Sequence, residues 1–256
     1  VQIGLVKNIT QLDPLRRWHI LDWYFSGILN DVFTNSTLNL FLKGEFDFYL
    51  PAMANISYKN YDAINSLDFI GLNYYSRWHV KGQLNLAEPF TFELRPQDIQ
   101  TDMPYAIYPE GFYKAVKTIA KLNVPIIITE NGIADNKDDR RSLFIKRYLY
   151  ALFKTIEEGY DVRGYFYWSL MDNFEWAEGY MMKFGLYDVD FNTQKRTLRS
   201  GSQSFVNIVN QQNADKRGYI VSVGDEAPDL FLEYTDGQKI QLSNLRGSVV
   251  VLQFTA

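Results

Sequence analysis

Residues 125–132 read PIIITENG, an apolar run that ends on a carboxylate followed by an Asn-Gly pair. Three consecutive isoleucines predict a β-strand that is buried on both faces, as in the parallel sheets of α/β proteins. Because the acid stands at the carboxyl end of this predicted strand, Glu130 can serve as a nucleophile or a general base. The same acid can instead cap the next segment, with Asn131 and Gly132 forming only a turn. The pattern leaves both interpretations open.

Apolar stretches of strand length alternate with longer helical patterns along the chain. The predicted strands are residues 1–6, 67–75, 124–129 and 162–170, and the predicted helices are residues 14–33, 111–122, 140–158 and 198–210. Such alternation is typical of a parallel sheet with helices outside it. Polar and aromatic residues stand at the carboxyl ends of the strands, where a (β/α)8 barrel collects its active site. A doubly wound open sheet is the alternative, but no G-x-G-x-x-G follows a strand. The units found amount to about half of a barrel.

Composition excludes several classes of function. The 256 residues are 46% hydrophobic and carry a net charge of −4, with Lys and Arg spread along the chain, so we expect no nucleic-acid partner. There is no cysteine, which excludes disulfides and thiolate chemistry. His19 and His79 lack the spacing of a helical metal site, so we expect them to be packing or surface residues and expect no metal. No membrane helix and no signal peptide are recognisable, which favours a cytoplasmic location, although the chain begins with Val.

A second segment, YFYWSLMDNFEWAEGYMMKFG at 165–185, combines aromatic rings with acids. A flat Trp face can bind the apolar face of a sugar ring, and a neighbouring carboxylate can accept hydrogen bonds from two hydroxyls. The alternative is an aromatic core patch in which Asp172 and Glu175 only cap loops. The order Asp-Asn-Phe-Glu-Trp favours the sugar site, because it places an acid between two aromatics, where a pure core would not.

Four motifs together, in this order and spacing, resemble glycoside hydrolase family 1, the β-glucosidase family. They are LDFIGLNYY at 67–75, YPEGF at 108–112, PIIITENG at 125–132 and YWSLMDNFEWAEGYMMKFGL at 167–186. The resemblance covers residues 1–213. It implies an α/β fold, the C-terminal half of a (β/α)8 TIM barrel, and a retaining β-glycosidase activity on terminal β-linked sugars, with a β-glycoside or oligosaccharide as partner and no cofactor.

The resemblance also implies roles for individual residues. Glu130, in the Thr-Glu-Asn-Gly motif, would be the nucleophile, and Tyr75 would hydrogen-bond to it with Asn73 beside it. A donated tyrosine hydroxyl favours the ionised form that a nucleophilic carboxylate needs. The remaining implied residues bind the sugar: Trp168 as platform, Glu175 and Trp176 on the outer hydroxyls, and Phe184 lining the pocket. Family members often carry Arg where this chain has Lys183.

A retaining glycosidase needs a second carboxyl group about 5–5.5 Å from the nucleophile. The resemblance places this acid/base in an Asn-Glu-Pro motif before the region matched here, and the chain has no such motif. Its one Glu-Pro pair, Glu88-Pro89, follows the NYY motif and is not expected to be the acid. We therefore expect the isolated chain to lack the acid/base and to need a missing N-terminal half-barrel or self-association. The alternative function is a non-catalytic sugar-binding fragment.

The last residues differ in character from the rest. The polar run QQNADKR at 211–217 reads as a linker, and the sequence Asp236-Gly237 between alternating segments predicts a hairpin. Residues 219–256 resemble the opening of a thioredoxin-like domain of the peroxiredoxin and thiol-disulfide oxidoreductase type, with a strand predicted at 249–254. The expected organisation is a half-barrel at 1–213, a linker at 214–218 and a truncated thioredoxin-like segment at 219–256.

Overall fold

A computed structural model describes residues 2–51, 53–85, 87–214, 231–233 and 239–241. The strands of this part of the chain are β1 (Gly4–Asn8), β2 (Gln11–Pro14), β3 (Glu45–Leu50), β4 (Ala54–Lys59), β5 (Phe69–Asn73), β6 (Arg77–Gly82), β7 (Phe90–Glu93), β8 (Ile126–Asn131), β9 (Val162–Tyr167), β10 (Tyr187–Asp190), β11 (Lys195–Leu198), β12 (Phe231–Glu233) and β13 (Lys239–Gln241). The α-helices are α1 (Ile20–Asn30), α2 (Ser36–Lys43), α3 (Pro109–Ile119), α4 (Arg141–Glu157) and α5 (Gln203–Ala214).

The central feature is a parallel four-stranded sheet in the order β1-β5-β8-β9. The sequence predicted these four strands, and the parallel α/β arrangement is confirmed. In the register of the sheet, Asn8 pairs with Asn73, and Asn73 pairs with Glu130. Because the strands run in the same direction, their carboxyl ends meet at one edge, and this edge carries the candidate catalytic residues.

The core of the sheet follows from the apolar runs that predicted it. Ile70 and Leu72 of β5 are fully buried, as is Ile128 of β8. Helices α3 and α4 contribute further fully buried side chains: Phe112, Val116, Ile119, Phe144, Ile145 and Tyr148. Each large apolar side chain removed from water contributes about 1.5–3 kcal/mol, so this packing holds the strand ends in place.

The predicted helix at 14–33 is wrong at its start. Residues 11–14 instead form β2, which pairs in parallel with β6, and α1 begins only at Ile20. A π-helix, Asp31–Asn35, then joins α1 to α2. Buried Asp22 accounts for the late start, because it accepts hydrogen bonds from the backbone and guanidinium of Arg16 and holds residues 16–19 as a turn before the helix.

Three further antiparallel pairings, β3 with β4, β6 with β7, and β10 with β11, were not predicted. Other element ends also differ. The strand predicted to reach residue 170 ends at Tyr167, and residues 211–214, predicted to be linker, are the last turn of α5. The peptide bond between Trp168 and Ser169, just after β9, is cis.

The tail is described only in part. Strands β12 and β13 pair antiparallel, which confirms the predicted hairpin, while Asp236, Gly237 and the strand predicted at 249–254 lie outside the described residues. The chain divides into two compact units, Val1–Asn207 and Ile208–Ala256, and the boundary expected at 213 stays a prediction. Among the described helices, none combines the length and apolar character needed to cross a membrane.

The outer strands of the central sheet are β1 and β9, and within the described residues neither pairs with a further strand on its outer side. Apolar side chains are exposed at both borders. Ile3 and Val6 are exposed beside or in β1, and Leu170 and Phe174 are exposed after β9. Open strand edges with exposed apolar side chains are prone to pair with other chains.

Candidate active site

Glu130 lies at the carboxyl end of β8 and is half-buried. The hydroxyl of Tyr75, just beyond β5, donates a hydrogen bond of 2.7 Å to its Oε2. Burial raises the pKa of Tyr75 far above its usual range, and the charge and hydrogen bond of Glu130 raise it further. Tyr75 is therefore a permanent donor, which leaves Oε1 of Glu130 as the oxygen available for attack on an electrophile.

The backbone around Glu130 departs from a regular ladder. The pairing of β5 with β8 shifts between Leu72 and Asn73, and that of β8 with β9 shifts between Ile128 and Asn131. At this bulge the N–H of Tyr74 donates to the carbonyl of Glu130 at 2.9 Å. A bulge next to an active site re-aims a side chain, and here it sets the direction of the Glu130 carboxylate.

Asn131 and Gly132 do more than form a turn. The buried Asn131 amide donates to the Tyr74 carbonyl at 2.6 Å and accepts from the Tyr165 hydroxyl at 2.9 Å. At Gly132 a Cβ atom would stand 1.7 Å from the carbonyl oxygen of Trp168, so no larger residue fits. The pair thus ties the segment after Glu130 to β5 and to the end of β9.

Trp168 and Glu175 follow β9 and face the same edge of the sheet. The backbone N–H of Trp168 donates to the Asn131 carbonyl at 3.0 Å, which sets Trp168 next to the end of β8. Burial raises the pKa of the Glu175 carboxyl, a hydrogen bond from Trp168 opposes this, and the charge of Glu130 raises it further. Oε2 of Glu175 is buried and has no hydrogen-bond partner in the described part of the chain. Such an oxygen is a ready acceptor for a ligand hydroxyl.

The other predicted residues divide into two groups. Asn73 lies beside Glu130 in the sheet register, and the buried Phe184 ring meets the Tyr75 ring edge-on at 6.2 Å between centroids. These two belong to the cluster around Glu130 and Tyr75. Trp176, by contrast, is 82% exposed and lies at the rim.

Asp172 is a structural anchor rather than a sugar ligand. It is buried, its Oδ1 accepts from the Gly185 N–H at 2.9 Å, and its Oδ2 pairs with Arg199 at 2.7 Å. Lys183 lies 3.8 Å from the same oxygen. Asp172 thereby holds the loop residues around Phe184 against the segment that contains Glu175. For Asp172 the loop-capping alternative is the correct one.

A fully buried arginine, Arg141, links the two loops that flank the site by hydrogen bonds. Its guanidinium pairs with Asp138 and donates to the Tyr167 hydroxyl. It also donates to four backbone carbonyls of the two loops flanking the site: Ile133, Asp135, Lys183 and Phe184. Sequence reasoning missed this residue, since one Arg at a helix start carries no motif.

Two further residues at the site were also missed. Tyr105 is half-buried, and burial followed by the charges of Glu175 and Glu178 raises the pKa of its hydroxyl. Asn8 ends β1 opposite Asn73 and is exposed. The signals were the aromatic residue just before the YPEG motif and the amide at the end of the first strand.

The remaining candidates lie elsewhere. Glu88 is exposed in the connection between β6 and β7. His79 is buried 3.6 Å from Asp98, and His19 lies 3.1 Å from Asp22, so each histidine packs beside a carboxylate. Within the described ranges, no group of three or more His, Asp or Glu side chains is arranged to hold a metal ion.

The carboxyl edge of the parallel sheet thus carries a tyrosine-bound carboxylate, an indole and a second carboxylate. Comparison with known proteins gives the family: residues 13–214 match the glycosyl hydrolase family 1 model, and the chain belongs to this family. Its structural neighbours are TIM-barrel β-glycosidases.

Individual relatives support the assignment. A β-galactosidase of Pyrococcus woesei is 33% identical over 214 residues, covering 77% of this chain and 40% of the relative. The β-glycosidase from Pyrococcus horikoshii superposes with a TM-score of 0.71 at 35% identity, covering 81% of this chain and 48% of that structure. The β-glucosidase from Thermotoga maritima in complex with glucoimidazole gives a TM-score of 0.69 at 32% identity, covering 82% and 51%. The chain thus spans about half the length of these proteins.

Proposed function

We propose that this chain carries the nucleophile half of a retaining β-glycosidase active site, with Glu130 as the nucleophile. The observation that carries the proposal is the 2.7 Å hydrogen bond from the Tyr75 hydroxyl to Glu130 Oε2 at the carboxyl edge of the parallel sheet. It holds Oε2 of Glu130 and leaves Oε1 for the attack. Family membership of residues 13–214 supports the reaction class.

The reaction proceeds in two displacements. Oε1 of Glu130 attacks the anomeric carbon of a β-glycoside, the bond to the aglycone oxygen breaks, and that oxygen takes a proton from the acid/base. The product of this step is an α-linked glycosyl ester on Glu130. Water, deprotonated by the same acid/base, then attacks the anomeric carbon from the opposite face, releases the sugar in the β configuration and restores the carboxylate.

The glycone binds between Trp168 and Glu175. The half-buried indole offers an apolar face for the sugar ring, and the unpartnered Oε2 of Glu175 accepts hydrogen bonds from outer hydroxyls. Asn73 donates next to the nucleophile, Phe184 closes the pocket behind Tyr75, and Trp176 reaches the sugar from the rim. These contacts suit glucose, galactose or fucose as the terminal sugar.

The acid/base comes from outside the motifs of this chain. Within the described residues, the outer edges of β1 and β9 pair with no further strand and are bordered by exposed apolar side chains. At these edges a complementary half-barrel or a second copy completes the site. Size-exclusion chromatography with light scattering tests this part of the proposal. A clean monomer that unfolds in one cooperative transition would contradict it.

The nucleophile assignment is tested with 2,4-dinitrophenyl 2-deoxy-2-fluoro-β-glucoside, whose leaving group needs no acid. We expect the intact mass to increase by one 2-fluoroglucosyl group, and peptide mapping to place it on Glu130. Glu130→Gln should abolish the adduct, whereas Glu88→Gln, a matched change of an exposed glutamate, should leave it unchanged. An adduct in the Glu130→Gln variant would refute the assignment.

The second candidate is a non-catalytic sugar-binding fragment, which the unpartnered Glu175 oxygen beside Trp168 also favours. The same experiment separates the two functions. A folded sample that binds a glucose-mimicking inhibitor, measured by calorimetry, but forms no adduct would support the binding fragment.

For residues 219–256 we propose the opening segment of a thioredoxin-like domain. The antiparallel pairing of β12 with β13 is compatible with this, and the lack of cysteine excludes thiol redox chemistry within the chain. Deletion of 219–256 should therefore leave the adduct on Glu130 unchanged. Loss of the adduct in a folded deletion variant would show instead that the tail belongs to the glycosidase.

A further inference from the structure

Thr129, the residue before the nucleophile, makes a contact that the proposed reaction has not used. Its hydroxyl donates a hydrogen bond of 2.6 Å to Oδ1 of Asn73. Asn73 is also the partner of Glu130 in the pairing of β5 with β8. The side chain of Thr129 therefore joins the nucleophile strand to the amide that stands beside the nucleophile.

This hydrogen bond fixes the orientation of the Asn73 side-chain amide. A carboxamide presents an acceptor oxygen and a donor nitrogen, and a rotation of the group exchanges them. Because Oδ1 receives the Thr129 hydrogen, the Nδ2 donors point away from Thr129. In the described part of the chain, Nδ2 of Asn73 donates to no protein acceptor. Its hydrogens are thus available to a ligand oxygen.

The strand next to Thr129 is shaped to admit its side chain. A Cβ atom at Gly71 would stand 3.0 Å from the Thr129 Cγ2 and 3.1 Å from its Oγ1, closer than packed atoms normally approach. Gly71 thus leaves room on the β5 side for both branches of the threonine. The hydroxyl reaches Asn73 from this space.

We propose that Thr129 is a positioning residue that fixes the amide of Asn73, so that Nδ2 donates to the bound sugar during attack by Glu130. Thr129 itself touches neither the sugar nor the nucleophilic oxygen. The inference rests on the proposed function, because it needs a sugar at Asn73.

The test compares Thr129→Val, which keeps the shape and removes the hydroxyl, with Thr129→Ser, which keeps the hydroxyl. The readout is the rate of the dinitrophenolate burst from 2,4-dinitrophenyl β-glucoside, which reports the first displacement without an acid. We expect Thr129→Val to lower the rate about fivefold, the equivalent of one ordinary hydrogen bond, and Thr129→Ser to restore it. In an Asn73→Ala background the same Thr129→Val change should have no further effect.

Equal rates for the valine and serine variants, or an equal loss in the Asn73→Ala background, would overturn the proposal. A wild-type chain without any burst would refute the proposed function instead. In that case the NMR resonances of the Asn73 side-chain amide still test whether Thr129 positions that amide. We expect its resonances to move in Thr129→Val and to stay in Thr129→Ser, and unmoved resonances in the valine variant would overturn the inference.

Discussion

Tyr75→Phe is the substitution that isolates the hydrogen bond on which the proposed nucleophile depends. It removes one oxygen atom, the donor 2.7 Å from Glu130 Oε2, and keeps the ring that meets Phe184 edge-on. The pocket wall therefore stays in place, while the carboxylate loses a charge-assisted hydrogen bond in a half-buried site.

The magnitude follows from that contact. A hydrogen bond to a charged group contributes about 1.5–3 kcal/mol, and each 1.36 kcal/mol is about tenfold in rate. We therefore expect Tyr75→Phe to lower the second-order rate of 2-fluoroglucosyl adduct formation roughly 10- to 150-fold. The rate is read by intact mass over time at several reagent concentrations.

The chain supplies a matched control for this change. The hydroxyl of Tyr113 also hydrogen-bonds to a glutamate, Glu158, but on the exposed surface between α3 and α4. Tyr113→Phe should leave the rate of adduct formation unchanged. If Tyr75→Phe reacts as fast as Tyr113→Phe, the bond to Glu130 does not support the nucleophile, and the reasoning from geometry to role fails.

Three further substitutions test the framework of the site. Hydrogen bonds from Arg16 and the Gly82 N–H outweigh the burial that opposes them and lower the pKa of Asp22 to about 2. The stabilisation by the Asp22 carboxylate is complete above its usual pKa and is lost as the pH falls towards 2. Asp22→Asn should therefore lower the free energy of unfolding in urea by about 2 kcal/mol at pH 7. An unchanged unfolding midpoint would contradict this. Chiefly burial raises the pKa of Glu175 above its usual value. The charged form of Glu175 therefore destabilises the fold once the pH rises past that usual value. Glu175→Gln should therefore raise the melting temperature at neutral pH while weakening calorimetric binding of a glucose-mimicking inhibitor, and a lower melting temperature would argue against the burial effect. Gly132→Ala should lower the free energy of unfolding in urea by more than about 3 kcal/mol, because the added Cβ would meet the backbone carbonyl of Trp168. An unchanged free energy of unfolding would show that the segment around Trp168 moves freely.

The sequence predicted the parallel sheet because apolar runs mark its strands, and the two central strands, β5 and β8, are largely buried. It did not predict β2, a short segment that is stabilised by a partner distant in sequence, β6. The helix expected from Pro14 begins only at Ile20, for a related reason. Its apolar spacing is real, but the hydrogen bonds of Asp22 hold the preceding residues in a turn.

The sequence placed its candidate site residues at strand ends, and their roles stay predictions. Glu130, Tyr75 and Trp168 stand at or just after strand ends in sequence, so the topology brings them together. Arg141 and Thr129 were not found because their roles depend on which carbonyl or amide lies opposite them, and this is decided by packing. The same holds for Asp172, whose position among aromatics resembles a sugar ligand until Arg199 is seen beside it.

The polar groups of the site separate into those satisfied by the protein and those left for a ligand. Asn131 has both ends of its amide bonded, and the Arg141 guanidinium is used by side chains and loop carbonyls. By contrast, Oε2 of Glu175 is buried without a partner in the described residues. A buried carboxylate oxygen without a hydrogen bond destabilises the fold, because it has lost its hydration and gained no partner. In the proposed function a sugar hydroxyl removes this cost at Glu175, and the hydrogen-bonded residues around it hold the position open.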